Sequence, residues 1–162
     1  MIYKTSLDKT AIVITISVTT LFAVLISGQY AIIKDAGHTA TPIYTTVGLL
    51  LIYAIVFAFR PIDYTITKDE IIVRRPLVNV RIKRVDIENI DEVDNKAMNG
   101  AIRTFGVGGL FGYYGGFTNS SIGRMTWYAT RKDTAVLLRT KNNKKIILTP
   151  DNPTAFIHHL NS

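Results

Sequence analysis

The chain has 162 residues, no cysteine, three histidines and a formal net charge of +7 at pH 7. The absence of cysteine excludes disulfides, thiolate catalysis and cysteine-ligated zinc, and three scattered or adjacent histidines argue against a metal site. From Arg60 onward there are 16 Lys and Arg residues against 10 Asp and Glu. This surplus favours an anionic membrane surface over nucleic acid because apolar segments precede it; simple solubility in the cytoplasm is the alternative explanation.

Two uncharged apolar segments dominate the first 60 residues. Residues 11–33 form a run of 23, and residues 43–59 a run of 17. At 1.5 Å per residue these helices would be roughly 34 Å and 26 Å long, against a hydrocarbon core of about 30 Å. The pattern predicts a transmembrane helical hairpin over residues 1–60, with helices at about 11–33 and 43–59.

A cleaved signal peptide is the alternative to a retained hairpin. The first run is long for a signal peptide, and His38-Thr39-Ala40 is a poor cleavage site, so we favour retention. Lys4 and Lys9 precede the first helix, and several Lys and Arg residues follow the second. The positive-inside rule therefore predicts a multi-pass protein of the bacterial inner membrane, with both termini and the C-terminal domain in the cytoplasm. Neither apolar run contains an ionisable side chain, which argues against a transporter.

The C-terminal part, residues 61–162, shows the alternation of a β domain. Apolar and polar side chains alternate with the period of two that half-buried strands require. The predicted strands are residues 62–67, 71–75, 78–83, 85–93 after a bend, 122–131, 134–140 and 145–149. A helix should follow, with Asp151 or Asn152 as its N-cap and Pro153 in its first turn. Seven strands and one closing helix predict an α+β protein whose soluble part is a small antiparallel β-barrel capped by a C-terminal helix.

Residues 100–123 stand out because they hold eight of the chain's eleven glycines, interleaved with aromatic residues. A phosphate-binding loop does not fit, since a third glycine would fall at Phe111 and no crossover helix follows. Glycines allow close backbone approach, and aromatics supply large contact areas. The segment is either an interaction surface for a second copy or another membrane protein, or a structural loop covering the barrel. The candidate interaction residues are Phe111, Tyr113, Tyr114 and Phe117.

A basic cluster lies close behind the second apolar run. Its members alternate along the early predicted strands: Arg74, Arg75, Arg81, Lys83 and Arg84. Each cation near an anionic leaflet contributes about 1 kcal/mol to membrane binding. We therefore expect this cluster to face anionic lipid; a solvated strand face is the alternative.

Catalytic chemistry has little support in the sequence. Ser120 and Ser121 have no histidine and acid partners by motif, and His158-His159 falls on the closing helix. The acidic residues around Asp86 lack the spacing and glycine of a calcium loop. The sequence predicts a non-enzymatic protein that has no cofactor and does not bind nucleic acid.

Three stretches together resemble the bacterial pleckstrin-homology-like (PH-like) proteins. They are IRTFGVGGLFGYYGGF, IGRMTWYATR and ILTPDNPTAF, which span residues 102–156. The resemblance, over about residues 62–161, implies a PH-like domain and membrane association, and it carries over no catalytic residues. Together with the predicted hairpin, it leads us to expect a membrane-anchored, non-enzymatic binding or assembly module; the alternatives are a membrane-surface lipid-binding domain and a small membrane sensor or enzyme accessory. Lipid-binding PH domains use a basic first hairpin loop, and Lys68-Asp69-Glu70 is poor in positive charge.

Overall fold

Two long helices lead into a two-sheet domain in the computed structural model, which describes residues 1–36 and 40–161. Helix α1 spans Lys9–Ala36 and begins where the Asp8 carboxylate accepts a hydrogen bond from the Ala11 N–H (2.7 Å). Helix α2 spans Ala40–Ala58. Hydrogen-bonded pairs Thr19–Tyr53 (2.8 Å) and Gln29–Thr46 (2.9 Å) show that the helices run antiparallel.

Helix α1 is long and apolar enough to cross a membrane, by length and composition. Its residues Lys9–Ala31 have a mean hydropathy of 2.2, and few of them are buried within the protein. The apolar part of α2, Pro42–Ala58, is shorter than a full span. The hairpin as a membrane-spanning unit therefore remains a prediction, and the cleavage-site argument at His38 and Thr39 falls outside the described residues.

The strands form two sheets. The first has the order β1-β2-β3-β4, with β1 at Ile2–Lys4, β2 at Asp63–Ile66, β3 at Glu70–Arg74 and β4 at Val80–Lys83. The second has the order β5-β9-β10-β8-β7-β6, with β5 at Ile87–Asp94, β6 at Ile102–Gly109, β7 at Gly112–Asn119, β8 at Gly123–Ala129, β9 at Thr134–Thr140 and β10 at Lys145–Leu148. A 3-10 turn at Arg84–Asp86 precedes β5, and helix α3, Asn95–Met98, follows it. Helix α4, Pro153–Asn161, closes the chain.

The predicted α+β class with a C-terminal helix is confirmed, but the closed antiparallel barrel is wrong. The two sheets do not close, and β10 pairs with β8 in parallel, with Ile147 opposite Trp127. The physical reason lies in residues 100–123, which form the hairpin β6–β7 and pair with the side of β8 away from β10. The second sheet is thereby extended to six strands instead of folding back onto the first.

The N-terminal head, residues 1–8 before α1, is part of the two-sheet domain. Strand β1 pairs antiparallel with β2, so that Lys4 lies opposite Asp63. The Thr5 hydroxyl donates to the Thr149 carbonyl (2.5 Å), and the Ser6 N–H and hydroxyl both donate to Asp151 (2.8 and 2.6 Å). Partial burial acts to raise the pKa of Asp151, but the Ser6 hydrogen bonds and the charge of Arg131 outweigh it and lower that pKa.

Two apolar cores lie on opposite faces of the second sheet. Trp127 and Leu137 belong to one core, which the start of α1 and helix α3 help to cover. Tyr64 and Phe156 belong to the other, between the two sheets and under α4. The Tyr64 hydroxyl donates to the Tyr128 carbonyl (2.6 Å), and burial raises the Tyr64 pKa. The sheet thus holds one core against the helical hairpin and another against the rest of the domain.

The closing helix begins as the sequence predicted. Asn152 is its N-cap, because the Asn152 Oδ1 accepts the Ala155 N–H (2.9 Å). Phe156 and Leu160 are buried and Ile157 is partly buried, which confirms the apolar stripe.

Candidate functional site

The four aromatic residues predicted as an interaction surface lie on or beside strand β7 and are between 1% and 7% exposed. They are Phe111, Tyr113, Tyr114 and Phe117. Within the chain, Phe117 stacks on Trp127, with ring centroids 4.2 Å apart, and Tyr113 meets the same ring edge-on at 6.5 Å. Phe117 and Tyr113 belong to the core that contains Trp127, whereas Phe111 and Tyr114 contact the helical hairpin.

Phe111 occupies the tip of the β6–β7 hairpin. The connection contains only Leu110 and Phe111, and Phe111 has a φ of +58°, a left-handed conformation that is costly for a bulky residue. Its N–H donates to the Thr15 Oγ1 of α1 (2.9 Å), and its ring packs edge-on against Tyr53 and Phe57 of α2 (5.1 and 5.4 Å). Contacts with both helices hold this conformation in place.

Tyr114 and Arg60 reinforce the same contact. The Tyr114 hydroxyl donates to the Val56 carbonyl of α2, and burial raises the pKa of Tyr114. The Arg60 guanidinium lies over the Phe57 ring (4.2 Å) and near the Phe111 ring (5.8 Å). We name Phe111 and Tyr114 the aromatic anchor, because they fasten the sheet to the helices.

The five predicted lipid-facing cations are divided between different partners. Arg74 forms a two-point ion pair with Asp63 (Nε to Oδ1, 2.7 Å), and Arg84 donates to the Leu160 carbonyl at the end of α4 (2.7 Å). These two side chains are engaged in holding the domain together. Their contribution to lipid binding stays a prediction.

The other three members of the cluster, Arg75, Arg81 and Lys83, border open space between the two sheets. The Arg75 Nε donates to the Val78 carbonyl (2.6 Å), and its guanidinium lies over the Phe59 ring (5.3 Å). Arg81 forms an exposed ion pair with Glu70 (3.1 Å). Exposed pairs of this kind contribute little to stability, so Arg81 is available to other anions.

A groove runs through this open space, in two adjoining cavities. One has a volume of 420 Å³ and lies between the end of α2 and strands β6 to β8. The other has a volume of 500 Å³ and lies between β4, β8 and the β9–β10 turn. Thr126 and Tyr128 line both cavities, so the two form one continuous surface. No local sequence pattern predicts this groove, because it lies between two sheets that do not close into a barrel.

The outer edge of β6 is a second exposed feature. Among the described residues, no strand pairs with β6 on the side away from β7. Phe105 is 81% exposed and Ile102 is 69% exposed along this eight-residue strand. A long edge strand with exposed apolar side chains is a ready template for pairing with another chain.

Two of the histidines, His158 and His159, lie on helix α4. The His159 Nδ1 lies 3.2 Å from the Tyr3 hydroxyl, next to an open cavity of 660 Å³ that His158 also lines. In the described parts of the chain, no group of three or more His, Asp or Glu side chains is placed to hold a metal ion.

The family described as "Bacterial PH domain" matches residues 62–162, which is most of the chain. No curated protein and no solved structure matches the chain.

Proposed function

The chain belongs to the bacterial PH domain family, and from this premise we propose that it is a membrane-anchored, non-enzymatic binding or assembly module. Anchoring is supported by the length and apolar character of α1. A hairpin that returns to its starting side is supported most strongly by the pairing of β1 with β2, because these strands lie on either side of the two helices in sequence. Both ends of the hairpin therefore return to one domain. If α1 crosses a bilayer, α2 has to cross back.

The aromatic anchor supports the same arrangement. Phe111 contacts α2 at Tyr53 and Phe57, close to the end of the helix. The large apolar side chains of Val47, Leu50 and Leu51, earlier in α2, are exposed and can contact lipid. The domain is then held against one face of the membrane. With the positive-inside rule, that face is the cytoplasmic face of the bacterial inner membrane.

We expect single introduced cysteines to report this topology, since the chain has none of its own. A membrane-impermeant maleimide should label Ala36→Cys, at the end of α1, in spheroplasts. It should label Asn142→Cys, in the exposed β9–β10 turn, only after lysis. Protein that is released from the membrane pellet by a carbonate wash, or equal labelling of both cysteines in spheroplasts, would contradict the anchoring.

For assembly, the edge of β6 is the surface that the geometry favours. Antiparallel pairing of β6 with β6 of a second copy would satisfy the open backbone groups and form an isologous contact. If the two-fold axis passes between Phe105 and Gly106, Phe105 of each copy lies opposite Gly106 of the other copy. The buried aromatics of β7 would support this edge from within, and another membrane protein could offer the same kind of strand.

We expect Phe105→Lys to disrupt self-association, because a lysine on an edge strand opposes pairing. Val85→Lys is the matched control, since Val85 is 68% exposed in the 3-10 turn, away from β6. Crosslinking in intact cells, followed by size measurement in detergent, should show a dimer for the wild type and the control, and a monomer for Phe105→Lys. An unchanged dimer in Phe105→Lys, or a wild type that is monomeric under both measurements, would rule out pairing through β6.

A further inference from the structure

The groove between the two sheets has an apolar end. The 420 Å³ cavity is lined mainly by aliphatic and aromatic side chains of α2 and of strands β6 to β8: Ile55, Val56, Phe59, Val107, Tyr114 and Tyr128. Its size lies within the range of roughly 300–1,000 Å³ that is usual for small-molecule sites. The apolar wall is continuous with α2, so it extends the exposed apolar surface of the helical hairpin into the domain.

The other end of the groove is basic. Arg81, Lys83 and Lys144 line the 500 Å³ cavity, and among the described residues Asp86 is the only carboxylate that lines it. Glu70, the ion-pair partner of Arg81, is a second carboxylate close by, so three cations and two anions leave a local charge of +1. Lys83 and Lys144 are exposed, and Arg75, which lies over Phe59 and Tyr128, adds another cation beside the apolar end.

We propose that this groove binds one anionic phospholipid, with an acyl chain at the apolar end and the phosphate at the basic end. The proposal rests on the membrane anchoring argued above, because α2 leads from the bilayer to the apolar end. Charge complementarity selects the anionic headgroup, and the apolar wall selects a lipid over a free phosphate. The proposed lipid site is separate from the β2–β3 loop, where the positive charge of Lys68 is balanced by the carboxylates of Asp69 and Glu70.

Two sets of variants test the basic end and the shared middle of the groove separately. The triple variant Arg81→Gln/Lys83→Gln/Lys144→Gln removes the basic end, and all three side chains are exposed. The matched control Lys68→Gln/Lys96→Gln/Arg103→Gln removes the same charge from exposed positions outside the groove. Thr126→Phe fills the part of the groove that both cavities share, without a change of charge.

The measurement is binding of a fluorescent phosphatidylglycerol to the full-length protein in a neutral detergent, with thermal unfolding to confirm that each variant is folded. We expect the basic-end variant to weaken binding by about tenfold or more, the control by less than about twofold, and Thr126→Phe to reduce binding strongly. Phosphatidylcholine should compete poorly, and glycerol phosphate without acyl chains should not compete.

Equal binding by the basic-end variant and its control would overturn the proposal. So would full competition by glycerol phosphate, which would indicate an anion site without an acyl chain, or binding that persists unchanged in Thr126→Phe. Because binding is measured in micelles, it can fail while the protein is still membrane-anchored in cells. Conversely, a different membrane topology would not change lipid binding in micelles. The anchoring proposal and the lipid-binding proposal can therefore fail independently.

Discussion

Gly115→Ala is expected to destabilise the protein by roughly 3 kcal/mol or more, enough to unfold the β6–β7 hairpin. Gly115 lies opposite Gly106 in the antiparallel pair, and both have positive φ values, +121° and +97°. A Cβ at residue 115 would collide with the Phe105 carbonyl oxygen and lie 2.9 Å from the Gly106 Cα. Both contacts involve backbone atoms of the neighbouring strand, so neither can be relieved by a side-chain rotation.

Gly108→Ala is the matched control, on the same hairpin. Gly108 does not have a positive φ, and an added Cβ would meet only the Arg103 side chain, at 3.5 Å. This variant should change stability by less than about 1 kcal/mol. Thermal or urea unfolding of full-length protein in detergent measures both. Similar stability for Gly115→Ala and Gly108→Ala would mean that the two strands do not approach as closely as the structure indicates.

Loss of the hairpin should also release the helices from the domain. Phe111 and Tyr114 make the aromatic anchor and belong to the same hairpin, so its unfolding removes their contacts with Thr15, Tyr53 and Val56. We therefore expect limited proteolysis of Gly115→Ala to cut first between α2 and the first sheet. This second readout separates local failure of the hairpin from failure of the whole domain.

The strands with regular alternation could be predicted from the sequence, and those without it could not. Within the predicted strand 122–131, alternation of Met125, Trp127 and Ala129 with more polar residues predicts β8, and Asn152 with Pro153 predicts the start of α4. The sequence did not predict strands β6 and β7, because glycine has low strand propensity. The need for glycine at both Gly106 and Gly115 becomes visible only when the structure shows that these residues face each other across the hairpin. Alternation of apolar and polar residues also does not show which strands pair with each other. The parallel pairing of β10 with β8 could therefore not be predicted.

The same limit applies to the candidate site. Charge pattern correctly placed Arg81 and Lys83 on an exposed strand, since they alternate with Val80 and Ile82. It could not show that Arg74 has Asp63 as a partner, eleven residues earlier, because that contact depends on the register of β2 with β3. The groove and the aromatic anchor arise from contacts between distant segments, which a single sequence does not encode in any local pattern.

Deletion of residues 1–60 is expected to cost the domain roughly 3–6 kcal/mol and leave it largely unfolded, although the residues that match the family, 62–162, are all retained. The deletion removes β1 from the edge of β2, the Thr5 and Ser6 hydrogen bonds, and the Tyr3 ring that packs edge-on against Phe156 at 5.1 Å. Thr149 and Asp151 then lose partners that they bind in the intact chain. Circular dichroism and hydrogen exchange of residues 61–162 would measure the loss.

The control for this deletion restores the head without the helices. Residues 1–8 joined to residues 61–162 by a flexible Gly-Ser linker of about ten residues should recover most of the stability, because Lys4 and Asp63 are already opposite each other. Thr5→Val in that chain should remove part of the gain, since it deletes the donor to the Thr149 carbonyl while keeping the side-chain shape. If residues 61–162 alone are as stable as the joined chain, the head contributes nothing to folding. In that case the β1–β2 pairing, and with it the main support for a hairpin that leaves and re-enters one domain, would have to be abandoned.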